Sequence, residues 1–91
     1  MKIIFRIHAI QRMFARGVTD ADVRYVLVNG ETIEDYPDDM PYPSRLVLGW
    51  CGIRPLHIVV ADNFEDGVWI IVTVYEPDPN QWEADFRRRK L

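Results

Sequence analysis

The stretch RPLHIVVADNFEDGVWIIVTVY, residues 54–75, contains two strongly apolar runs separated by a short polar turn. The runs predict strands at residues 55–61 and 68–75, and a connection this short joins antiparallel neighbours. Side-chain alternation places Leu56, Ile58 and Val60 on one face, which we expect to form the core. Their expected companions on the second strand are Val68, Ile70, Val72 and Val74.

The opposite face of this hairpin is predicted to carry His57. Its expected companions on that face are Val59, Ala61, Trp69, Ile71, Thr73 and Tyr75. Antiparallel pairing puts His57 across from Thr73, or one step away beside Tyr75. An imidazole, a hydroxyl and a phenol would then share one surface. Two interpretations of His57 stay open: a catalytic imidazole, or a core histidine satisfied by Thr73 or Tyr75.

The first half of the chain predicts a short strand and two helices. Residues 2–7 form the strand, and the first helix begins around His8, with Ile10, Met13 and Phe14 as its buried face and Gly17 as its end. The second helix starts at the N-cap Thr19, with Asp22 completing a capping box. Its expected core residues are Val23, Val26 and Leu27, and Gly30 ends it.

Three further segments complete the predicted architecture. ETIEDY (residues 31–36) indicates a strand, PDDMPYPS (37–44) an irregular loop, and residues 44–50 another strand. The tail predicts a short helix with Trp82 and Phe86 one turn apart. We therefore expect a single α+β domain over residues 1–91, with two N-terminal helices and a C-terminal helix packed on an antiparallel sheet of about four strands.

Composition narrows the function classes. The 91 residues carry a net charge of −3 and one cysteine, Cys51, which cannot form an internal disulfide. The two histidines and Cys51 match no zinc spacing, so we expect no metal and no cofactor. The charged N-terminus lacks the features of a signal peptide or a membrane span, which favours a cytoplasmic protein without membrane contact.

Three basic side chains recur at a spacing of four, at His8, Arg12 and Arg16. On a helix they form one stripe that can hold a phosphate, although a solvated helix face is the default for such a pattern. Histidine suits acid–base work near neutral pH, and arginine can donate to two phosphate oxygens at once. With His57, these residues contain the minimum groups for cleaving RNA without a metal.

The order of motifs resembles a known family. HAIQRMFARG (residues 8–17), YPDDMPYPSRLVLGW (36–50), RPLHIVV (54–60) and IIVTVYEPDPNQW (70–82) look like a widespread bacterial family of small domains of unknown function, often encoded beside a YgiT-type zinc-finger or helix-turn-helix protein. The resemblance extends to the RelE and BrnT toxins of type II toxin–antitoxin modules. It implies helices against an antiparallel sheet, metal-free cleavage of RNA, a cognate antitoxin as partner, and ribosome-bound mRNA as one form of the substrate.

These observations lead to one hypothesis and two alternatives. The hypothesis is a toxin endoribonuclease with His57, His8, Tyr75 and Thr73 as catalytic candidates and Arg12, Arg16, Arg54, Trp69, Arg87 and Arg88 as substrate-binding candidates. The first alternative is a non-enzymatic interaction module that docks through the acidic segment 31–39 and the basic tail. It predicts that the protein's own tail or a second subunit covers His57. The second alternative is a module that binds RNA without cleaving it, which the acidic net charge disfavours.

Overall fold

Two short helices lie between the first and second strands of a five-stranded sheet in the computed structural model, which describes residues 1–91. The elements are β1 (Lys2–Phe5), α1 (Ile7–Arg16), α2 (Asp20–Asn29), β2 (Glu31–Tyr36), β3 (Ser44–Cys51), β4 (Arg54–Asn63) and β5 (Val68–Tyr75). The strand order is β1-β5-β4-β3-β2, with β1 parallel to β5 and the other neighbours antiparallel.

The predicted fold class is wrong in two respects. The sheet has five strands and is mixed, and there are two helices, not three. The parallel pair joins strands from the two ends of the chain, and local sequence patterns carry no information about such a distant pairing. The hairpin of β4 and β5, the irregular loop after Tyr36 and the strand over residues 31–36 agree with the sequence predictions.

Both helices pack on the face of the sheet that carries Leu56, Ile58 and Val60. The core between the layers contains Ala9, Met13, Val18, Val23, Val26, Leu27, Val47, Leu56, Ile58, Val60, Ile71 and Val74. In α2 the capping box of Thr19 and Asp22 is present, and the three predicted core residues are buried. The sequence prediction for α2 is therefore confirmed.

The buried face of α1 differs from the prediction. Ala9 and Met13 are buried, whereas Ile10 and Phe14 are exposed, and Phe14 keeps 91% of its surface accessible to solvent. The side of α1 that faces the sheet is therefore the side that carries Ala9 and Met13. A stripe of large apolar residues, Ile7, Ile10 and Phe14, is left facing solvent.

A register shift in the β4–β5 ladder changes the face assignment of half of β5. Val59 pairs with Thr73, but Val60 pairs with Ile71, so Val72 is an extra residue on the β5 side. Beyond this bulge, Ile71 and Trp69 lie on the helix-covered face, and Ile70 and Val72 do not. The prediction that Trp69 and Ile71 share a face with His57 is therefore wrong.

Residues 77–91, here called the tail, form no helix. Their chain turns back on itself through an isolated bridge between Trp82 and Arg89, and Phe86 adopts a left-handed backbone conformation with φ of 58°. A residue in that conformation cannot continue an α-helix, so the predicted C-terminal helix is wrong. The tail lies across the second face of the sheet, which we call the tail face.

Candidate functional site

His57 lies in the centre of the tail face and is 0% exposed to solvent. It pairs with Tyr75 across the β4–β5 ladder, as one of the two predicted registers required. Its Nε2 is 2.9 Å from the carbonyl oxygen of Phe86, which can only accept, so Nε2 carries the proton. Nδ1 then accepts a hydrogen bond from the Tyr75 hydroxyl at 3.2 Å.

The tail closes over the imidazole with aromatic side chains. The ring of Trp82, 2% exposed, stands edge-on to the His57 ring with 4.4 Å between their centroids. The guanidinium of Arg89 lies 4.6 Å from the centroid of the Trp82 ring. Phe86 packs edge-on to Trp50 at 5.9 Å. In this conformation no substrate can reach His57.

Ion pairs attach the basic tail to the acidic strand β2. Arg87 binds Glu31, and Arg89 lies 3.6 Å from Glu34. Glu34 also accepts a hydrogen bond from the hydroxyl of Tyr36. Two parts of the chain that the interaction-module alternative assigned to external partners therefore contact each other.

Three groups on the tail face have shifted pKa values. Burial lowers the pKa of His57, an effect that the hydrogen bond to Phe86 partly opposes. Burial raises the pKa of Tyr75. Burial, followed by the hydrogen bond to Glu34, raises the pKa of Tyr36 to about 12. At neutral pH the cluster therefore holds a neutral imidazole and two protonated phenols.

An open cavity of about 360 Å³ borders the tail face near the C-terminal end of α2. Tyr25 and Trp50 contribute aromatic surface to its lining, and Arg87 and Asn29 contribute polar groups. Trp50 keeps part of its ring exposed. A flat aromatic ligand with a polar edge, such as a nucleobase, matches this combination of groups.

The first-helix candidates are not part of this site. His8, Arg12 and Arg16 are exposed on α1, which packs on the other face of the sheet. His8 and His57 are therefore separated by the sheet and do not form one acid–base pair. The strand register alone could not decide this, because it does not show which face each helix covers.

The guanidinium of Arg54 binds groups within the protein, which gives this residue a structural role. Its guanidinium donates to the backbone carbonyls of Arg16 and Gly17, where α1 ends, and to the carboxylate of Glu76. A cation at this position satisfies carbonyls that the helix leaves without intrahelical partners. Arg54 thus fixes the end of α1 to β4, away from the His57 cluster.

The remaining candidates are dispersed. Trp69 packs against the core on the helix-covered face, with Arg45 over its ring at 5.9 Å. Thr73 pairs with Val59 and is half-buried on the tail face. Arg88 is exposed and forms no ion pair, while Arg87 lines the cavity described above.

Comparison with known protein families confirms that this chain is a small domain of unknown function, as the order of its motifs predicted. The family described as a domain of unknown function, DUF4258, matches residues 5–76. The chain belongs to this family. No curated protein and no solved structure matches this DUF4258 domain at a significant level. The family match covers both helices and strands β2 to β5, includes only the last residue of β1, and ends before the tail.

Sequence reasoning missed four side chains of this DUF4258 domain that surround or adjoin His57: Glu34, Tyr36, Trp82 and Arg89. The alternation of ETIEDY places Glu34 and Tyr36 on one face of a strand, and this pattern could have indicated that the two side chains lie together. Trp82 and Arg89 carried no comparable signal because the fold of the tail depends on its contacts with the sheet.

The structure contains neither a metal-binding cluster nor a membrane-spanning helix. No group of three or more His, Cys, Asp or Glu side chains is arranged to hold a metal ion. Neither helix is long and apolar enough to span a bilayer.

Proposed function

We propose that this domain is the toxin of a two-gene toxin–antitoxin module and cleaves RNA in the cytoplasm without a metal. The observation that carries the proposal is the hydrogen-bonded pair of His57 and Tyr75 on the sheet face that the helices leave free. Glu34 and Arg89 lie beside this pair, and Arg87 pairs with Glu31 on the same strand as Glu34. The pair supplies a base and an acid, and the arginines supply cations.

The proposed reaction uses the protonation states of the cluster. Nδ1 of His57, whose lone pair is freed when the Tyr75 hydroxyl turns toward the leaving 5′-oxygen, takes the proton of the ribose 2′-hydroxyl as the 2′-oxygen attacks phosphorus. The Tyr75 hydroxyl gives its proton to the leaving 5′-oxygen as the P–O5′ bond breaks. The products are a 2′,3′-cyclic phosphate and a 5′-hydroxyl. The proton on His57 then returns to Tyr75 along their hydrogen bond, which restores both groups.

Access to His57 requires the tail to move. The phosphates of RNA compete with Glu31 and Glu34 for Arg87 and Arg89, because each of these ion pairs joins a guanidinium to an oxyanion, a role that a phosphate also fills. Exchange of these ion pairs releases the tail and keeps its arginines on the substrate backbone. Tyr25 and Trp50 stack a neighbouring base in the adjoining cavity.

The test is cleavage of a labelled RNA oligonucleotide in the presence of EDTA. We expect the native chain to yield a 2′,3′-cyclic phosphate end, and Trp82→Ala to cleave faster because its tail opens more often. His57→Gln and Tyr75→Phe should lose cleavage by a factor of about 100 or more. His8→Gln is the matched control and should retain it. A folded Trp82→Ala variant without cleavage would contradict the proposal.

Growth of the host gives an independent measurement. Induced expression without the neighbouring gene should arrest growth, and Tyr75→Phe, which removes a single hydroxyl, should relieve the arrest. A Tyr75→Phe protein that is folded and equally harmful would exclude the proposed acid. A neighbouring gene for a small zinc-finger or helix-turn-helix protein supports the toxin assignment.

The second candidate function is a non-enzymatic interaction module. The full burial of His57 under the protein's own tail, with both ring nitrogens hydrogen-bonded, favours it. This candidate predicts that His57→Gln lowers stability and changes nothing else. Intact RNA with the native chain and with Trp82→Ala, together with normal growth on expression, would select it.

A further inference from the structure

The cavity beside the C-terminal end of α2 contains a stretch of sheet edge that no strand covers. β2 begins at Glu31, which pairs with Leu48, so no residue of β2 lies beside the last three residues of β3. The cavity opens at this gap and is lined there by Gly49 and Trp50, together with Tyr25, Glu31 and Arg87. A strand edge and side chains from α2, β2 and the tail therefore face one space.

The backbone of Trp50 directs its N–H and C=O toward this gap. In the β3–β4 ladder Trp50 lies opposite Pro55, which has no N–H, so the two residues cannot exchange the two bonds of a hydrogen-bonded pair. A residue outside such a pair points both backbone groups away from the partner strand. The carbonyl of Leu48, two residues earlier, points the same way, since a Cβ built on Gly30 would lie 2.5 Å from its oxygen. One donor and one acceptor of the β3 backbone therefore face the cavity.

An ion pair lies next to this edge. Nε of Arg87 donates to Oε1 of Glu31, and both side chains are about half exposed. Nη2 of Arg87 and Oε2 of Glu31 form no hydrogen bond within the chain, so a charged donor and a charged acceptor remain available to a ligand. Tyr25 is 55% exposed and Trp50 42% exposed, and both supply aromatic surface.

From these groups we infer that the cavity binds a guanine base. Guanine carries a ring N–H beside an amine, and these donate to the carboxylate of Glu31 and to the carbonyl of Trp50. Its O6 and N7 accept hydrogen bonds from the guanidinium of Arg87 and from the N–H of Trp50. Stacking of the base on Tyr25 or on the ring of Trp50 supplies the remaining contact area.

The other RNA bases match these groups less well. Adenine and cytosine have no ring N–H beside the amine, and uracil has no amine. Each presents one donor group where guanine presents two, so the carboxylate of Glu31 or the carbonyl of Trp50 keeps no partner, which costs binding free energy. A peptide strand does not fit, because the uncovered edge is only three residues long.

The guanine base has two chemical sources. In an RNA substrate it would lie close to the phosphate that is cleaved, and this source rests on the proposed function. A free guanine nucleotide carries the same base and requires no cleavage. The site itself depends only on the cavity.

The experiment titrates the native chain with the 5′-monophosphates of guanosine, inosine, adenosine, cytidine and uridine and follows backbone NMR shifts. We expect the Kd of guanosine monophosphate to be at least about tenfold lower than that of the adenosine, cytidine and uridine nucleotides, with shifts at Gly49 and Trp50. Inosine monophosphate lacks the amine and should bind about tenfold more weakly than guanosine monophosphate.

Three variants assign the contacts. Glu31→Ala should remove the difference between guanosine and inosine monophosphate, and Arg87→Ala should weaken the binding of both. Arg24→Ala is the matched control, because Arg24 is an exposed arginine of α2 that lies outside the cavity. It should leave every Kd unchanged.

A 2′-O-methyl RNA tetranucleotide with one guanine separates the two sources, because its blocked 2′-oxygen cannot attack phosphorus. Binding about tenfold tighter than that of guanosine monophosphate supports a guanine in RNA, and equal binding supports a free nucleotide. Either result keeps the guanine site.

Four outcomes would overturn the inference: equal binding of the four natural mononucleotides, no binding, tighter binding of another base, or full preference for guanosine over inosine in Glu31→Ala. A loss of binding in Arg24→Ala equal to that in Arg87→Ala would also overturn it. Guanine binding without RNA cleavage would reject the proposed function and keep this inference, and cleavage without guanine binding would do the opposite.

Discussion

At the scale of single residues, His57 shows how burial and hydrogen bonding together set a chemical state. The carbonyl of Phe86 selects the Nε2–H tautomer, and the Tyr75 hydroxyl meets the remaining lone pair. Removal from water disfavours the charged imidazolium. The same contacts make His57 a satisfied core residue and a neutral base, so its chemistry depends on whether the tail opens.

The lowered pKa of His57 predicts a specific pH dependence of stability. The unfolded imidazole takes up a proton near pH 6.5 and the folded one only at lower pH, so the unfolded state binds more protons in between. The contribution of His57 is therefore present above about pH 6.5 and is lost as the pH falls through its folded pKa. Urea unfolding of the native chain and of His57→Gln across this range measures the difference. Parallel pH profiles for the two proteins would contradict the prediction.

At the scale of elements, the tail behaves as a cover for the sheet, held mainly by one tryptophan. Trp82 fills the space over His57, and its outer side carries Arg89. The ion pair between Arg87 and Glu31 is largely exposed to water, so by itself it adds little to the stability of the tail's position. Aromatic burial is therefore the main force that holds the tail in place.

Truncation of Trp82 should loosen the tail and destabilise the domain. We expect Trp82→Ala to lower the free energy of unfolding by about 3 kcal/mol, as for other buried tryptophans. Carbethoxylation by diethyl pyrocarbonate should modify only His8 in the native chain and both histidines in the variant. Rapid modification of His57 in the native chain would show that the tail does not protect it.

The contacts of Arg54 at the end of α1 should stabilise the fold in a way that a lysine cannot fully reproduce. Its planar guanidinium reaches the carbonyls of Arg16 and Gly17 and the carboxylate of Glu76 at once. We expect Arg54→Ala to cost about 1 kcal/mol and Arg54→Lys to recover only part of that cost. Chemical unfolding of the three proteins checks this, and full recovery with lysine would point to charge alone.

At the scale of the whole molecule, the sheet separates two surfaces of different composition. Helices cover one face with aliphatic contacts, and the tail covers the other with aromatic and ionic ones. The close approach of α2 to β3 depends on Gly49, because a Cβ there would lie 2.6 Å from Cγ1 of Val26. The distance between the layers is therefore set by a residue without a side chain.

This packing predicts a coupled pair of substitutions. Gly49→Ala should destabilise the domain by about 2 kcal/mol because it overpacks the contact with Val26. In a Val26→Ala background the same change should cost much less, since the clashing methyl groups are gone. A double-mutant cycle on the free energy of unfolding measures this coupling, and strictly additive costs would argue against it.

The sequence predicted correctly the features that depend on residues close together in the chain, and it failed for features that depend on contacts between distant segments. The capping box at Thr19 and the face that His57 shares with Thr73 and Tyr75 depend on local sequence patterns, and both were predicted correctly. The bulge at Val72 redirected Trp69 and Ile71, and no local signal marked it. The exposure of Phe14 and the fold of the tail depend on how α1 and the tail pack against the assembled sheet.

Local propensity and periodicity thus determined α1, α2, the strand segments and the face that His57 shares with Tyr75, because each involves a few residues close in sequence. Tertiary structure alone decided that β1 joins β5 in parallel, that His8 and His57 lie on opposite sides of the sheet, and that the tail buries His57. Those features arise from contacts between distant segments, whose free energy depends on the shape and burial of the assembled surfaces.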